Sequence, residues 1–200
     1  MTGPDGMQMA RFASRQDWLA WLGEHHAAAP GVWLQIGKRG GPALSLTYAD
    51  ALLGALAFGW IDGQKAPLDH DWWLQRFTPR KPGSRWSKAN RERAEGLIGS
   101  GAMQAAGLRQ VELARADGRW DRAYEGQHAA TVPDDLRAAL AANPAAEAFF
   151  ATLDGANRYA VLYRVQDAKR PDTRARRIAQ FVAMLAAGQS LHPPARRRGS

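Results

Sequence analysis

The chain contains no cysteine. That absence excludes disulfides, thiol nucleophiles, zinc ribbons and iron–sulfur ligation together. It also lacks any apolar run approaching the roughly 20 residues that a membrane-spanning helix needs. Its first residues, Met1-Thr2-Gly3-Pro4-Asp5-Gly6, do not show the charged-then-apolar order of a secretory signal. They read as the start of a short frayed tail over residues 1–13, and the expected compartment is the cytoplasm. There is no phosphate loop of the Walker type, no nucleophile elbow and no H-E-x-x-H pair. Gly96, Gly99, Gly101 and Gly107 follow a helical pattern rather than a strand, so they do not make a dinucleotide loop. The histidines are scattered. Asp69-His70-Asp71 is the one cluster of ligand-type side chains, and on a strand its members alternate between faces. Neither a metal nor a cofactor is expected.

What is present is 200 residues, 46% of them hydrophobic, with a net charge of +8. That is the length of one ordinary domain, able to bury a sizeable core without metal or disulfide. The charge is unevenly placed. Residues 59–90 hold Lys65, Arg76, Arg80, Lys81, Arg85 and Lys88 against Asp62, Asp69 and Asp71. A second excess lies in 164–200, ending in Arg196-Arg197-Arg198. Local cationic excess attracts phosphate, nucleic acid or anionic surfaces, or serves only solubility.

Periodicity predicts an α+β fold. Helices are expected over 14–29, capped by Ser14, and over 49–58, where Leu52, Leu53 and Leu56 recur at helical spacing. Val32–Ile36 reads as a strand, Lys38–Pro42 as a loop, and Trp60–Gln64 and Trp72–Phe77 as further strands of a small antiparallel sheet. From Ser84 the pattern is helical almost throughout. Helices run from Ser84 or Ser87 to about Ile98, from about Gln104 to Ala116, from Pro133 to Asn143, and on to Leu153. Another starts at Asn157, and the last is capped by Asp172 and closed by Gly188. One domain over 14–188 is expected, with a sheet-containing part to about 83, a helical part to about 188, and a basic tail over 189–200.

The segment from Gly59 to Asn90 carries Trp60, Trp72, Trp73 and Trp86 interleaved with its cations. Aromatic faces beside Arg and Lys suit planar anionic ligands or bases, with the cations neutralising phosphate. Pro79 and Pro82 hold Arg80 and Lys81 in a preset loop. A helix starting near Ser84 offers backbone N–H groups to an anion. The expected ligand face is Asp62, Gln64, Arg76, Arg80, Lys81, Ser84, Trp86 and Asn90, with Tyr48, Asp117, Arg119, Trp120 and Tyr124 available to complete a pocket. A second reading stays open, in which the tryptophans build a core and the arginines cover it. Asp62 alone, without a paired carboxylate or positioned histidine, makes no acid–base site.

The runs Gly31–Leu34, Leu46–Leu52, Phe58–Gly63, Arg76–Lys81, Ser84–Asn90 and Asp117–Asp121 resemble the YdeI/OmpD-associated, or bacteriocin-protection, family. So do Thr173-Arg174 and Arg177-Ile178, and the likeness spans Trp18 to about Gly188. The resemblance implies a role in tolerance of bacteriocins or antimicrobial peptides, linked to an outer-membrane porin. It brings no catalytic residues, and it implies a periplasmic setting that the missing export signal opposes. A cationic protein is also a poor direct trap for cationic peptides, because like charges repel. The expectation is therefore a non-catalytic binding or stress-tolerance protein with a small anionic or phosphorylated ligand. An enzyme acting on a phosphorylated or nucleotide-like substrate, with Asp62 as base and Arg76 and Arg80 as clamp, is one alternative. A nucleic-acid binder is the other.

Overall fold

The computed structural model describes residues 2–38, 45–126 and 131–193. The expected loop over 38–42 and the basic tail over 189–200 fall largely outside them. The chain divides into two compact units, Met1–Ala123 and Tyr124–Ser200. The α+β expectation holds.

The first unit is built on four strands: β1 (Met9–Ala10), β2 (Val32–Gly37), β3 (Trp60–Pro67) and β4 (Trp72–Pro79). They are ordered β1-β2-β4-β3. β4 pairs antiparallel with both β2 and β3, as the sequence predicted. The sheet is nevertheless mixed, because β1 pairs parallel to β2, with Met9 opposite Trp33. The segment read as a frayed tail thus supplies an edge strand. The reason lies in Trp33, which faces away from the sheet's helix-covered side and is only 2% exposed. Its indole N–H donates to the Asp5 carboxylate at 2.7 Å. A buried indole needs both cover and an acceptor, and the N-terminal segment provides both.

Helices cover the other face. Ser14 and Asp17 form a capping box that starts α1 (Arg15–His25), and Thr47 caps α2 (Tyr48–Ala57). Ser87 caps α3 (Lys88–Gly99), and α4 (Ala105–Ala116) follows. Alternation along the strands sends Val32, Leu34, Ile36, Trp60 and Phe77 into one core, where they meet Trp18, Leu22, Leu52, Leu56 and Val111. Trp18 donates its indole N–H to the Ala51 carbonyl at 3.0 Å, which fixes α1 on α2.

The second unit is helical among its described residues: α5 (Asp134–Ala141), α6 (Pro144–Thr152), α7 (Gly155–Gln166) and α8 (Pro171–Ala186). Its core gathers Leu136, Leu140, Phe150, Val161, Leu162, Val165, Ile178, Phe181 and Leu185. Asp172 does not cap α8. The helix begins two residues earlier than that cap implies, at Pro171 with Arg170 as N-cap, and Asp172 sits in the first turn, where a carboxylate suits the helix dipole. The Arg174 guanidinium grips the Asp135 carboxylate at 2.5 and 2.9 Å and ties α8 to α5. That partner holds the Asp135 carboxyl below the usual carboxylate range. No helix among the described residues is long and apolar enough to cross a membrane.

Candidate functional site

The eight expected ligand residues occupy the β3–β4 hairpin, the loop after it and the first turn of α3, and the structure sorts them into separate clusters. Asp62 lies on the helix-covered face and accepts a hydrogen bond from the Tyr48 hydroxyl at 2.7 Å. Burial, and then that carboxylate, push the Tyr48 phenol above its ordinary range. Gln64 stands exposed at a register shift between Asp62 and Lys65. The shift is held from beneath by buried Gln75, whose amide donates to the Gly63 and Gln64 carbonyls at 2.9 and 3.2 Å. Past it, the Lys65 ammonium sits 5.0 Å from the Trp73 ring centre and 5.4 Å from that of Tyr48.

Arg76 is opposite Trp33 in the sheet, hence on the other face from Asp62, and its guanidinium pairs with Asp5 at 3.2 Å. Asn90 is buried, and its side-chain oxygen accepts from Arg93 at 3.0 Å. The shared cleft of Asp62, Arg76 and Arg80 that the enzyme alternative requires is not formed.

Arg80, Ser84 and Trp86 do come together. The Arg80 guanidinium lies 3.6 Å over the Trp86 ring and donates to the Arg85 carbonyl at 3.2 Å. Trp86 is 1% exposed and packs edge-on against Trp120 at 4.9 Å. The Ser84 hydroxyl accepts from the Lys81 backbone N–H at 3.0 Å, leaving the Lys81 side chain on an exposed turn. Arg119 donates to the Ser84 carbonyl at 2.8 Å while Asp117 grips it at 2.6 Å. Asp117, Arg119 and Trp120, which the sequence offered to complete a pocket, instead hold the loop and Trp86 in place. Trp86 is core rather than ligand surface.

Arg80 instead borders a cleft of about 160 Å³, whose lining includes His26, Phe58, Trp60, Arg109 and Gln110. No carboxylate lines it, and neither Asp62 nor Arg76 reaches it. Gly59 makes the cleft's geometry available. It adopts φ +76°, and a Cβ there would stand 2.9 Å from the Ala106 carbonyl oxygen. Without a side chain at that corner, α4 closes on the start of β3 and brings Arg109 towards Arg80. The Trp60 indole N–H donates to the His26 carbonyl at 3.0 Å. The His26 ring sits 2.8 Å from the Leu22 carbonyl through Nδ1. A carbonyl only accepts, so Nδ1 carries the hydrogen and Nε2 remains for other contacts. Neither His26 nor Arg109 is distinguished in the sequence: His26 reads as a helix end suited to the dipole, and no spacing links Arg109 to Arg80.

Among the described residues no group of three histidines or carboxylates could hold a metal ion. The Asp69-His70-Asp71 cluster is a hairpin turn, in which the Asp69 carboxylate accepts from the Asp71 and Trp72 backbone N–H groups.

Over residues 129–188, within the second unit, the chain matches the family described as bacteriocin-protection, YdeI or OmpD-associated. That stretch carries the YdeI/OmpD-associated domain. Over 10–110 it matches a domain of unknown function (DUF8412). No curated protein and no solved structure matches the chain. The YdeI/OmpD-associated match therefore covers the helical unit, where Thr173-Arg174 and Arg177-Ile178 lie. The motifs between Gly31 and Asn90 all fall in the domain of unknown function. In the YdeI/OmpD-associated unit, Arg174 joins α8 to α5, and Arg177 donates to the Arg164 carbonyl at 2.6 Å. Both arginines have structural work there.

The Tyr48–Asp62 bond has a testable pH signature. A phenol that ionises near pH 10 in the unfolded chain resists ionisation in the fold. The folded state then holds the proton more tightly, so this stability is intact below about pH 10 and is lost as pH climbs further. Tyr48→Phe is expected to flatten that alkaline decline. At neutral pH it should cost about 1 kcal/mol, because Asp62 loses its donor. Urea midpoints of both proteins at pH 8 and at about pH 10.5 measure this, and parallel declines would contradict it.

Proposed function

We propose that this YdeI/OmpD-associated protein is a non-catalytic binder of a small anionic ligand, held in the cleft bordered by His26, Arg80, Arg109 and Gln110. The observation that carries this reading is two arginines, the buried Arg80 and Arg109, around one cleft without a carboxylate in its lining. The face of Trp86 and the Arg85 carbonyl fix the plane of the Arg80 guanidinium, which adds fixed positive charge beside the cleft. Phe58 and Trp60 exclude water from one side, which strengthens charge-assisted hydrogen bonds. A binder needs no general acid or base, and the Asp62 carboxylate, the sequence's nearest candidate for a base, is taken up by Tyr48. A protective role of the kind in the family's name suits a protein that senses or sequesters an anion. It does not suit one that traps cationic peptides with a surface of net charge +8.

Arg109 is the clean probe, since among the described residues it has no ion-pair partner. Titration calorimetry with sulfate at low salt should find Arg109→Gln at least about tenfold weaker than the native protein, the loss of roughly 1.4 kcal/mol. Equal affinity would contradict the cleft as the site.

A further inference from the structure

We propose that the rings of Tyr48 and Trp73 form a binding site for a quaternary ammonium group, a site that the chain's own Lys65 fills in the free protein. It lies in the first unit and shares no residue with the lining of the cleft. The two ring centres stand 5.9 Å apart, with their planes inclined at 47°. The Lys65 ammonium lies over both faces, 5.0 Å from the Trp73 centre and 5.4 Å from that of Tyr48. Both distances fall within the roughly 6 Å at which a ring's quadrupole attracts a cation. The two faces are thus turned towards one point, and that point is at the surface, because Lys65 is exposed. The rings themselves are fixed. Trp73 stands on β4 between Ile36 of β2 and Pro67 of β3. Tyr48 opens α2 behind its Thr47 cap and donates to Asp62 at 2.7 Å. Both are half-buried against the core of the unit. Walls set before the ligand arrives lose little freedom when it binds.

The distances select the kind of cation. Carbon atoms in contact lie about 3.5–4.0 Å apart, so a nitrogen clothed in methyl groups rests about 5 Å from a ring. Groups that touch a ring directly come nearer in this protein: the guanidinium of Arg80 is 3.6 Å from the Trp86 centre, and that of Arg11 is 4.0 Å from the Trp72 centre. Lys65 stops short of both its rings, and the gap is the thickness of a methyl group. Lys65 is also easily displaced. It stands on the edge strand β3, just past the register shift, and among the described residues no carboxylate pairs with it. Its primary ammonium is strongly hydrated, whereas a quaternary ammonium has no N–H for water to hold and gives up less on entering. Two further charges act here. The Asp62 carboxylate beyond the Tyr48 hydroxyl favours a cation. Arg93 of α3, whose Nη1 donates to the Asn90 side chain at 3.0 Å, acts on the Tyr48 phenol with the opposite sign. With Lys65 swung out the two offset each other, and the ring faces decide.

Tetramethylammonium chloride is the probe, with sodium chloride at equal ionic strength as the control. The readout is the Trp73 indole N–H resonance, assigned by its loss in Trp73→Phe. Tetramethylammonium should shift it saturably and sodium should not. Lys65→Gln, freed of its tethered competitor, should bind at least about threefold tighter than the native protein. In the Lys65→Gln background, Tyr48→Phe keeps the ring face and should stay within about twofold, whereas Tyr48→Leu should bind at least about fivefold more weakly. Both variants lose the bond to Asp62, so their difference reports the ring alone, and dispersed indole resonances show that each is folded. Methylammonium should bind Lys65→Gln at least about threefold more weakly than tetramethylammonium does. No saturable shift in Lys65→Gln, or Tyr48→Leu binding as tightly as Tyr48→Phe, overturns the site. Lys65→Gln no tighter than the native protein overturns Lys65 as its occupant. Methylammonium as tight as tetramethylammonium overturns the quaternary class.

Discussion

Trp86→Ala is expected to lower folding stability by about 3–5 kcal/mol. The side chain is 1% exposed, packed edge-on against Trp120 and covered by the Arg80 guanidinium. Truncation removes the transfer free energy of an indole, leaves a cavity among backbone segments clasped by Arg119, and strips Arg80 of the ring that orients it. Trp86→Phe should cost far less, about 1–2 kcal/mol, because the indole N–H has no hydrogen-bond partner among the described residues to lose. Urea unfolding of the two variants separates these effects. Sulfate affinity should fall in Trp86→Ala as well, through the disordered guanidinium. An alanine variant within about 0.5 kcal/mol of the native protein would mean that Trp86 is a surface residue, as the ligand-face reading had it.

Gly107→Val should be nearly as damaging, by about 3 kcal/mol. Gly107 lies where α4 crosses the end of α2. A Cβ there would run into the Ala57 carbonyl oxygen and stand 2.8 Å from its carbon. Those are backbone atoms and cannot rotate aside, so α4 must move. Because α4 carries Arg109 and Gln110, the cleft widens with it. Gly96→Ala is the control, since nothing stands within 4 Å of a Cβ at that helical position. It should stabilise the protein by roughly 0.5–1 kcal/mol, as alanine replaces glycine in an exposed helix. Thermal unfolding of the pair distinguishes a steric account from a general intolerance of substitution at glycine.

Much of the fold was legible because local signals and packing agree. Thr47 caps where its spacing to a helical run said it would, Ser87 takes the cap left open between it and Ser84, and Val32–Ile36 and Trp72–Phe77 are strands because β-branched and aromatic residues alternate between two buried faces. β1 was not legible: two residues have no period, and their pairing is made by backbone groups rather than side chains. The candidate site was legible only at Arg80. Interleaved arginines and tryptophans look alike whether they face a ligand or a core, and the difference lies in what packs above them. For Trp86 that is Trp120, which is far away in sequence. For Arg76 it is Asp5, held beneath Trp33 by a segment that reads as a tail. Asp62 reads in the sequence as a ligand residue, and in the fold its partner is a phenol on α2. Arg109 and His26 join the site only through the tertiary approach of α4 that Gly59 and Gly107 permit.

The most direct test of the cleft follows the arginine side-chain Nε–Hε resonances of isotope-labelled protein as sulfate is added at pH 5.5. Saturable shifts at Arg80 and Arg109, with exposed arginines such as Arg170 unmoved, are the predicted result. Uniform small shifts across all arginines, with none saturating, would show only diffuse charge screening and would contradict an anion site in this cleft.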